Sequence, residues 1–159
     1  TSDGLNIYLN ILAILIVLIA FVALLNGVVG TLPDVAGAPL TLERIAGWIF
    51  APIAWLMGIP WAEAQTTGSL LGIKSILNEF IAFLQLADMP AGALSEHSRL
   101  ITIYAIAGFA NLSSIGIQIS GIGAMAPERR NDLANLGFRA LVAATLAACM
   151  NGAIVGIVA

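Results

Sequence analysis

The chain has 159 residues, of which 60% are hydrophobic and only 9% are charged, with a net charge of −3. A soluble domain carries roughly 25% charged residues, so this composition predicts an all-α integral membrane protein embedded in a lipid bilayer. No basic run is present, which argues against nucleic acid as a partner, and the single cysteine excludes a disulfide within the chain. The first residues, Thr-Ser-Asp-Gly, have no initiator Met and no signal-peptide charge, so we expect a piece of a longer protein.

The first apolar segment lies within residues 1–33, and it carries no charge between Gly4 and Pro33. About 20 apolar residues suffice to cross the hydrocarbon of a membrane. We therefore predict one long or tilted transmembrane helix from Leu5 to about Gly30.

Residues 34–60 form a loop and then a second apolar stretch, in which a helix is predicted to start after Thr41. Pro52 and Pro60 interrupt this stretch, and its neighbourhood holds all three tryptophans of the chain. Tryptophan prefers the headgroup boundary and proline disfavours a straight crossing, so we predict an interfacial helix that lies along the membrane surface.

Residues 61–87 contain two apolar runs that are each too short to cross a membrane and that flank Lys74 and Glu79. A helix of about 14 residues rises only about 21 Å. The lengths predict a re-entrant helical hairpin, with its turn between Ser75 and Glu79.

Residues 98–125 are predicted to form a broken transmembrane helix, because a polar cluster interrupts an uncharged run near Asn111. Residues 126–159 supply a short cytoplasmic connection and the last transmembrane helix. That helix repeats small residues every four positions, from Ala140 and Ala144 to Gly156, and we expect this face to pack against protein. The predicted total is three transmembrane helices, one of them broken, with an interfacial helix and a hairpin.

Glu79 is the most informative residue, because a carboxylate in an apolar hairpin usually marks a site for a substrate, an ion or a proton. A purely structural alternative is an ion pair with Lys74. The two residues are five positions apart, which is a poor spacing on one helix face, although a turn between them would bring them together.

Asn111 and Ser114 are spaced to share a helix face in the second polar segment, and together with Glu79 they supply an amide, a hydroxyl and a carboxylate. That set suits a polyhydroxylated solute. Phe109 lies beside the cluster and could cover a flat ring. Supporting roles are assigned to three neighbouring polar residues, Asn78, Lys74 and Ser113.

The chain shows no nucleophile with a base, no metal-ligand set and no Gly-rich phosphate loop, so neither an enzyme nor a cofactor is predicted. An alternative from another class is a transmembrane scaffold or assembly subunit, in which buried polar residues only hold helices together.

Two long motifs identify a resemblance. Residues 72–83, Gly-Ile-Lys-Ser-Ile-Leu-Asn-Glu-Phe-Ile-Ala-Phe, and 108–117, Gly-Phe-Ala-Asn-Leu-Ser-Ser-Ile-Gly-Ile, look like the two signature blocks of concentrative nucleoside transporters. The connection at 126–130, Ala-Pro-Glu-Arg-Arg, and the helix end at 24–27, Leu-Leu-Asn-Gly, also match. The likeness covers essentially the whole chain, as the C-terminal repeat of that family.

The resemblance implies a cation-coupled symporter in a cell membrane, such as a bacterial inner membrane, that assembles as a homotrimer. Two inverted repeats would meet at a site halfway through the bilayer. By this resemblance Glu79, Asn111 and Ser114 would hydrogen-bond the ribose of a nucleoside such as uridine, Phe109 would line the nucleobase, and the first helix would belong to the scaffold. The family's N-terminal repeat, with its Gln-Thr-Glu hairpin and the site for sodium or a proton, is absent from this chain, so those parts are expected from a missing N-terminal half.

Overall fold

A computed structural model describes residues 2–35 and 37–159 of the chain, and these residues are helical with no β-strand. The β-type pairing in the described part is limited to an isolated bridge between Val35 and Ala38, which lies in the loop after α1. The α-helices in chain order are α1 (Ser2–Val29), α2 (Leu42–Leu56), α3 (Trp61–Ile76), α4 (Glu79–Asp88), α5 (Glu96–Ile106), α6 (Leu112–Met125) and α7 (Arg130–Val158), with a 3₁₀ turn (Pro127–Arg129) before α7.

Helix α2 runs through Pro52, where the sequence predicts an interruption. Its N-terminus is capped by Thr41, whose hydroxyl accepts a hydrogen bond from the Arg44 amide at 3.2 Å. The helix ends before Gly58, whose φ of +99° favours glycine. Helix α2 stays helical through this proline while it packs against α3.

The contact between α2 and α3 is close because glycine occupies both sides of it. A Cβ atom on Gly68 would lie 2.5 Å from the carbonyl oxygen of Gly47. A Cβ atom on Gly72 would overlap the side chain of Ala46 in the same way. Helix α3 therefore lies at the centre of the described core, with Leu70 fully buried.

The helix α1 is tied to α2 through Asn26. The side-chain oxygen of Asn26 accepts a hydrogen bond from the Leu42 amide at 2.8 Å, and its nitrogen donates to both carboxylate oxygens of Glu43 at 3.0 Å. The partly buried side-chain amide of Asn26, near the end of the first helix, thus satisfies an orphan backbone donor at the start of the second.

Within the described residues, one segment is long and apolar enough to cross a membrane by length and composition, Pro127–Val158. Its small-residue face divides into two parts. Gly152 packs on α5, where an added Cβ would lie 2.8 Å from the Ile101 carbonyl oxygen. Ala140 and Ala144 instead line a cavity between α6 and α7, so the described chain does not cover this half of the face, and its packing against protein stays a prediction.

Candidate functional site

The turn of the α3–α4 pair places Glu79 at the first position of a helix. Helix α3 ends at Ile76, Asn78 is extended with φ −165°, and its side-chain oxygen accepts a hydrogen bond from the Ile81 amide at 2.9 Å. Asn78 is therefore the cap of α4 and is committed to the backbone. The carboxylate of Glu79 is favoured at a helix N-terminus by the partial positive charge there.

The break between α5 and α6 ends at Asn111, which caps the N-terminus of α6. The side-chain oxygen of Asn111 accepts hydrogen bonds from the Ser114 amide at 2.8 Å and from the Ser113 hydroxyl at 2.6 Å. The Ser114 hydroxyl accepts from the Asn111 amide at 3.3 Å and donates to the Asn111 carbonyl at 2.6 Å. This reciprocal capping box fixes both side chains at the start of α6.

The two turns meet in one hydrogen bond. The side-chain nitrogen of Asn111 donates to Oε2 of Glu79 at 3.0 Å, across 32 residues of sequence. Asn111 is only 3% exposed, whereas Glu79 is partly exposed. Because Asn111 Oδ1 is occupied by the cap, its amide group can offer only its second N–H to a solute, while the other oxygen of Glu79, Oε1, accepts no hydrogen bond from any described residue.

The structure places Phe109 apart from this pair. Phe109 lies in the break and is 77% exposed. Together with Ser114 it lines a mostly apolar cavity of about 480 Å³ between α6 and α7, and neither Glu79 nor Asn111 is part of that lining. Ser114 connects the two regions, since it belongs to the capping box and also faces the cavity.

Lys74 is fully buried in the last turn of α3, and its ammonium has no hydrogen-bond partner among the described residues. The ion pair with Glu79 that the spacing leaves open is not formed, and the salt bridge found in the described part joins Arg129 and Asp132 at 2.7 Å. The hydroxyl of Ser75 is likewise buried without a partner there.

A buried hydroxyl pair that the sequence does not single out as a pair joins α3 to α5. The Thr67 and Thr102 hydroxyls lie 3.0 Å apart, and Thr102 donates to the Ser98 carbonyl at 2.7 Å. Thr67 follows Glu63 by four residues on one face of α3, which is the signal that could have indicated a polar contact here. The pair holds α5, and hence the break that follows it, against the helix that carries Lys74.

Among the described residues, no three His, Cys, Asp or Glu side chains lie close enough together to hold a metal ion. The polar atoms gathered at Glu79 and Asn111 are instead suited to a neutral solute with hydroxyl groups.

Residues 1–156 match the family model described as Na+ dependent nucleoside transporter C-terminus. The chain belongs to this family. The family resemblance predicted from the two motifs is therefore confirmed, and the members of this family are integral membrane proteins.

Relatives in the nucleoside transporter family match nearly the whole chain. Over 98% of its length the chain is 43% identical to the uncharacterized transporter YutK of Bacillus subtilis and 37% identical to nucleoside permease NupC of Helicobacter pylori. Over 96% of its length it is 36% identical to sodium/nucleoside cotransporter 1 of Mus musculus. The chain spans 38% of the first two relatives and 25% of the third.

Solved nucleoside transporter structures share this fold. The chain superposes on a CNTnw variant in an intermediate state with a TM-score of 0.90 and 38% identity, covering 99% of this chain and 40% of that one. The match to CNTnw in an inward-facing substrate-bound state has a TM-score of 0.83 and 40% identity, covering 98% and 39%.

Proposed function

We propose that the chain is the C-terminal part of a cation-coupled nucleoside symporter and that it binds the ribose of the nucleoside through Glu79, Asn111 and Ser114. The observation that carries this proposal is the 3.0 Å hydrogen bond between Asn111 and Glu79, which joins the turn of one helix pair to the break of another. Family membership and the permease and cotransporter relatives support the nucleoside as substrate.

The chemistry follows from the atoms left available. One ribose hydroxyl donates to Oε1 of Glu79, and a neighbouring hydroxyl accepts from the second N–H of Asn111. The Ser114 hydroxyl already donates to the Asn111 carbonyl at 2.6 Å, so it acts toward the sugar as an acceptor. Phe109, which is exposed and lines the apolar cavity, covers the flat nucleobase. Asn78 and Ser113 support the site by capping α4 and by bonding Asn111.

The proposed membrane arrangement has three crossings, made by α1 (domain 1–33), by the broken pair α5–α6 (98–125) and by α7 (126–159). Helix α2 (34–60) lies along the surface, and α3–α4 (61–87) is a re-entrant hairpin. Helices of 16 and 10 residues rise about 24 and 15 Å, less than the hydrocarbon thickness, whereas the 29 residues of α7 exceed it. These five parts form half of an inverted-repeat transporter whose first helix belongs to the scaffold.

The proposed partners are the nucleoside, the N-terminal half of the same transporter and further copies in a homotrimer. The chain covers 38% of its bacterial relatives, which leaves room for a second repeat carrying the sodium or proton site. We place the assembled transporter in a bacterial inner membrane as a multi-pass protein.

The test replaces Glu79 by Gln in the full-length transporter and measures uridine binding and the thermal midpoint. Asp88→Asn is the matched control, because it makes the same carboxylate-to-amide change at the exposed end of the same helix. Glu79→Gln is expected to weaken uridine binding by about tenfold or more while the protein stays folded, since hydrogen bonds to charged groups are the stronger ones. Normal uridine binding by Glu79→Gln contradicts the proposal. A large drop in the thermal midpoint of Glu79→Gln, with uridine binding retained by the protein that stays folded, supports the scaffold alternative.

A further inference from the structure

Lys74 is the largest fully buried side chain of the described part, and it is the only lysine in the chain. Its ammonium makes no hydrogen bond to any described residue. An isolated charge in apolar surroundings is strongly unfavourable, so its retention at this depth points to a specific electrostatic task.

The position of Lys74 in α3 makes the buried charge tolerable. It lies in the last turn of the helix, where the backbone dipole presents partial negative charge. The helix ends two residues later, and the turn carries the chain directly to Glu79 at the start of α4. Lys74 and Glu79 therefore lie five residues apart on either side of a short turn, one at the end of α3 and the other at the start of α4.

Glu79 on α4 and Cys149 on α7 both interact electrostatically with the Lys74 ammonium. The other helices packed on α3 offer no competing charge near this turn. Helix α6 carries no ionisable side chain. At the start of α2, Glu43 accepts hydrogen bonds from Asn26, and Arg44 donates hydrogen bonds to carbonyls of the preceding loop. The remaining ionisable residues of these elements lie at their opposite ends or at the surface: Glu63 on α3, Asp88 on α4, and Glu96, His97, Arg99 and Tyr104 on α5.

We infer that Lys74 is a positioning residue for Glu79, and that its buried ammonium attracts the carboxylate across the turn without occupying either of its oxygens. A direct ion pair would block Oε1, the oxygen that remains open beside the Asn111 contact. A charge held a short distance away leaves that oxygen for a ribose hydroxyl, and its attraction stays strong in a water-poor interior. This inference rests on the proposed function.

The test is a double-mutant cycle in the full-length transporter, made of the unmodified protein, Lys74→Met, Glu79→Gln and the double variant. Uridine affinity is measured by saturation-transfer NMR, which also detects millimolar binding. Lys74→Met is expected to weaken binding by about tenfold when Glu79 is present and by less than about twofold in the Glu79→Gln background, because contacting or coupled sites are non-additive.

Thr67→Val is the matched control for damage to the buried face of α3. It removes a buried polar group from the same helix but leaves the charges unchanged, so its effect on binding should be equal in both backgrounds. An equal effect of Lys74→Met in both backgrounds, or no effect at all, overturns the inference.

Lys74→Arg keeps the test decisive if Lys74→Met does not fold or if Glu79→Gln binds too weakly for the cycle. Because Arg retains the charge, its uridine affinity should stay within about threefold of that of the unmodified protein. A folded Lys74→Arg variant that loses as much affinity as Glu79→Gln also overturns the inference. Failure of the proposed function is separate, because it appears as normal uridine binding by Glu79→Gln alone.

Discussion

The side-chain nitrogen of Asn111 and the carboxylate of Glu79 meet 3.0 Å apart at a point where two helices begin. Glu79 is the first residue of α4, and Asn111 is the cap of α6. Two helix N-termini therefore converge on one carboxylate, and their partial positive charges attract it. The same convergence brings an amide donor to the edge of a carboxylate that a sugar can reach.

Two substitutions separate the structural role of Asn111 from its proposed binding role. Asn111→Ala removes the cap and leaves the Ser113 hydroxyl without its acceptor, so we expect a loss of about 1–3 kcal/mol in stability together with a loss of uridine binding. Asn111→Asp keeps an oxygen for the cap but sets a second carboxylate against Glu79.

Asn111→Asp should therefore retain the melting temperature far better than Asn111→Ala and still lose uridine binding by about tenfold or more. Differential scanning fluorimetry and equilibrium binding on the same preparations check both parts. Tight uridine binding by Asn111→Asp would remove the amide from the proposed site.

The two serines that follow should behave differently. The Ser114 hydroxyl faces the cavity as well as closing the capping box, so Ser114→Ala is expected to weaken uridine binding by about fivefold to tenfold. Ser113→Ala removes one bond to the Asn111 oxygen, which still accepts from the Ser114 amide, and binding should change by less than about threefold. Isothermal titration calorimetry with uridine measures the loss of affinity in both variants. A larger loss in Ser113→Ala than in Ser114→Ala contradicts the proposed contact of Ser114 with the sugar.

The breaks of the helices follow from local chemistry that the sequence carries. Asn78 and Asn111 stand in apolar runs where an unsatisfied amide would be unfavourable, and both cap a helix in the structure. The predicted turn between Ser75 and Glu79 contains the observed end of α3 and the start of α4. Such positions can be predicted because the side chain of a capping residue bonds the backbone of the helical turn that follows it, so the signal is local in the sequence.

The relationships that depend on tertiary packing could not be predicted. The continuation of α2 through Pro52 depends on its contact with α3, which a local rule for proline does not include. The burial of Lys74 without an ion pair depends on which helices surround it. Phe109 lines the cavity between α6 and α7 whereas Glu79 does not, although a set of neighbouring motifs suggests one continuous pocket.

Phe109 should affect nucleoside binding without affecting folding. Its side chain is 77% exposed and lines the cavity, so Phe109→Ala removes an aromatic surface from the proposed nucleobase side at little expense in packing. We expect uridine affinity to fall by about threefold to tenfold, since aromatic pairs contribute about 0.5–1.5 kcal/mol beyond buried area.

Phe80 provides the matched control for that experiment. It is 65% exposed and follows Glu79 directly, yet it does not line the cavity. Phe80→Ala should leave uridine affinity nearly unchanged. Equal losses from the two substitutions would indicate a general effect of surface aromatics rather than a nucleobase contact.

The close packing of α2 and α3 should make Gly68 intolerant of a methyl group. In Gly68→Ala the added carbon would lie 2.5 Å from the Gly47 carbonyl oxygen and 2.8 Å from the Ala51 amide nitrogen, and both atoms belong to the backbone, so the helices must separate. We expect a destabilisation of about 1–3 kcal/mol, as is typical of overpacked sites.

Gly116→Ala is the control, because Gly116 also lies within a helix but an added Cβ meets no described atom within 4 Å. This substitution should be neutral or stabilising by about 0.5–1 kcal/mol. Thermal midpoints of the two variants in the full-length transporter decide the matter. A stable Gly68→Ala protein would show that α2 can move away from α3, and the hairpin that carries Lys74 and Glu79 would then be held more loosely than this packing implies.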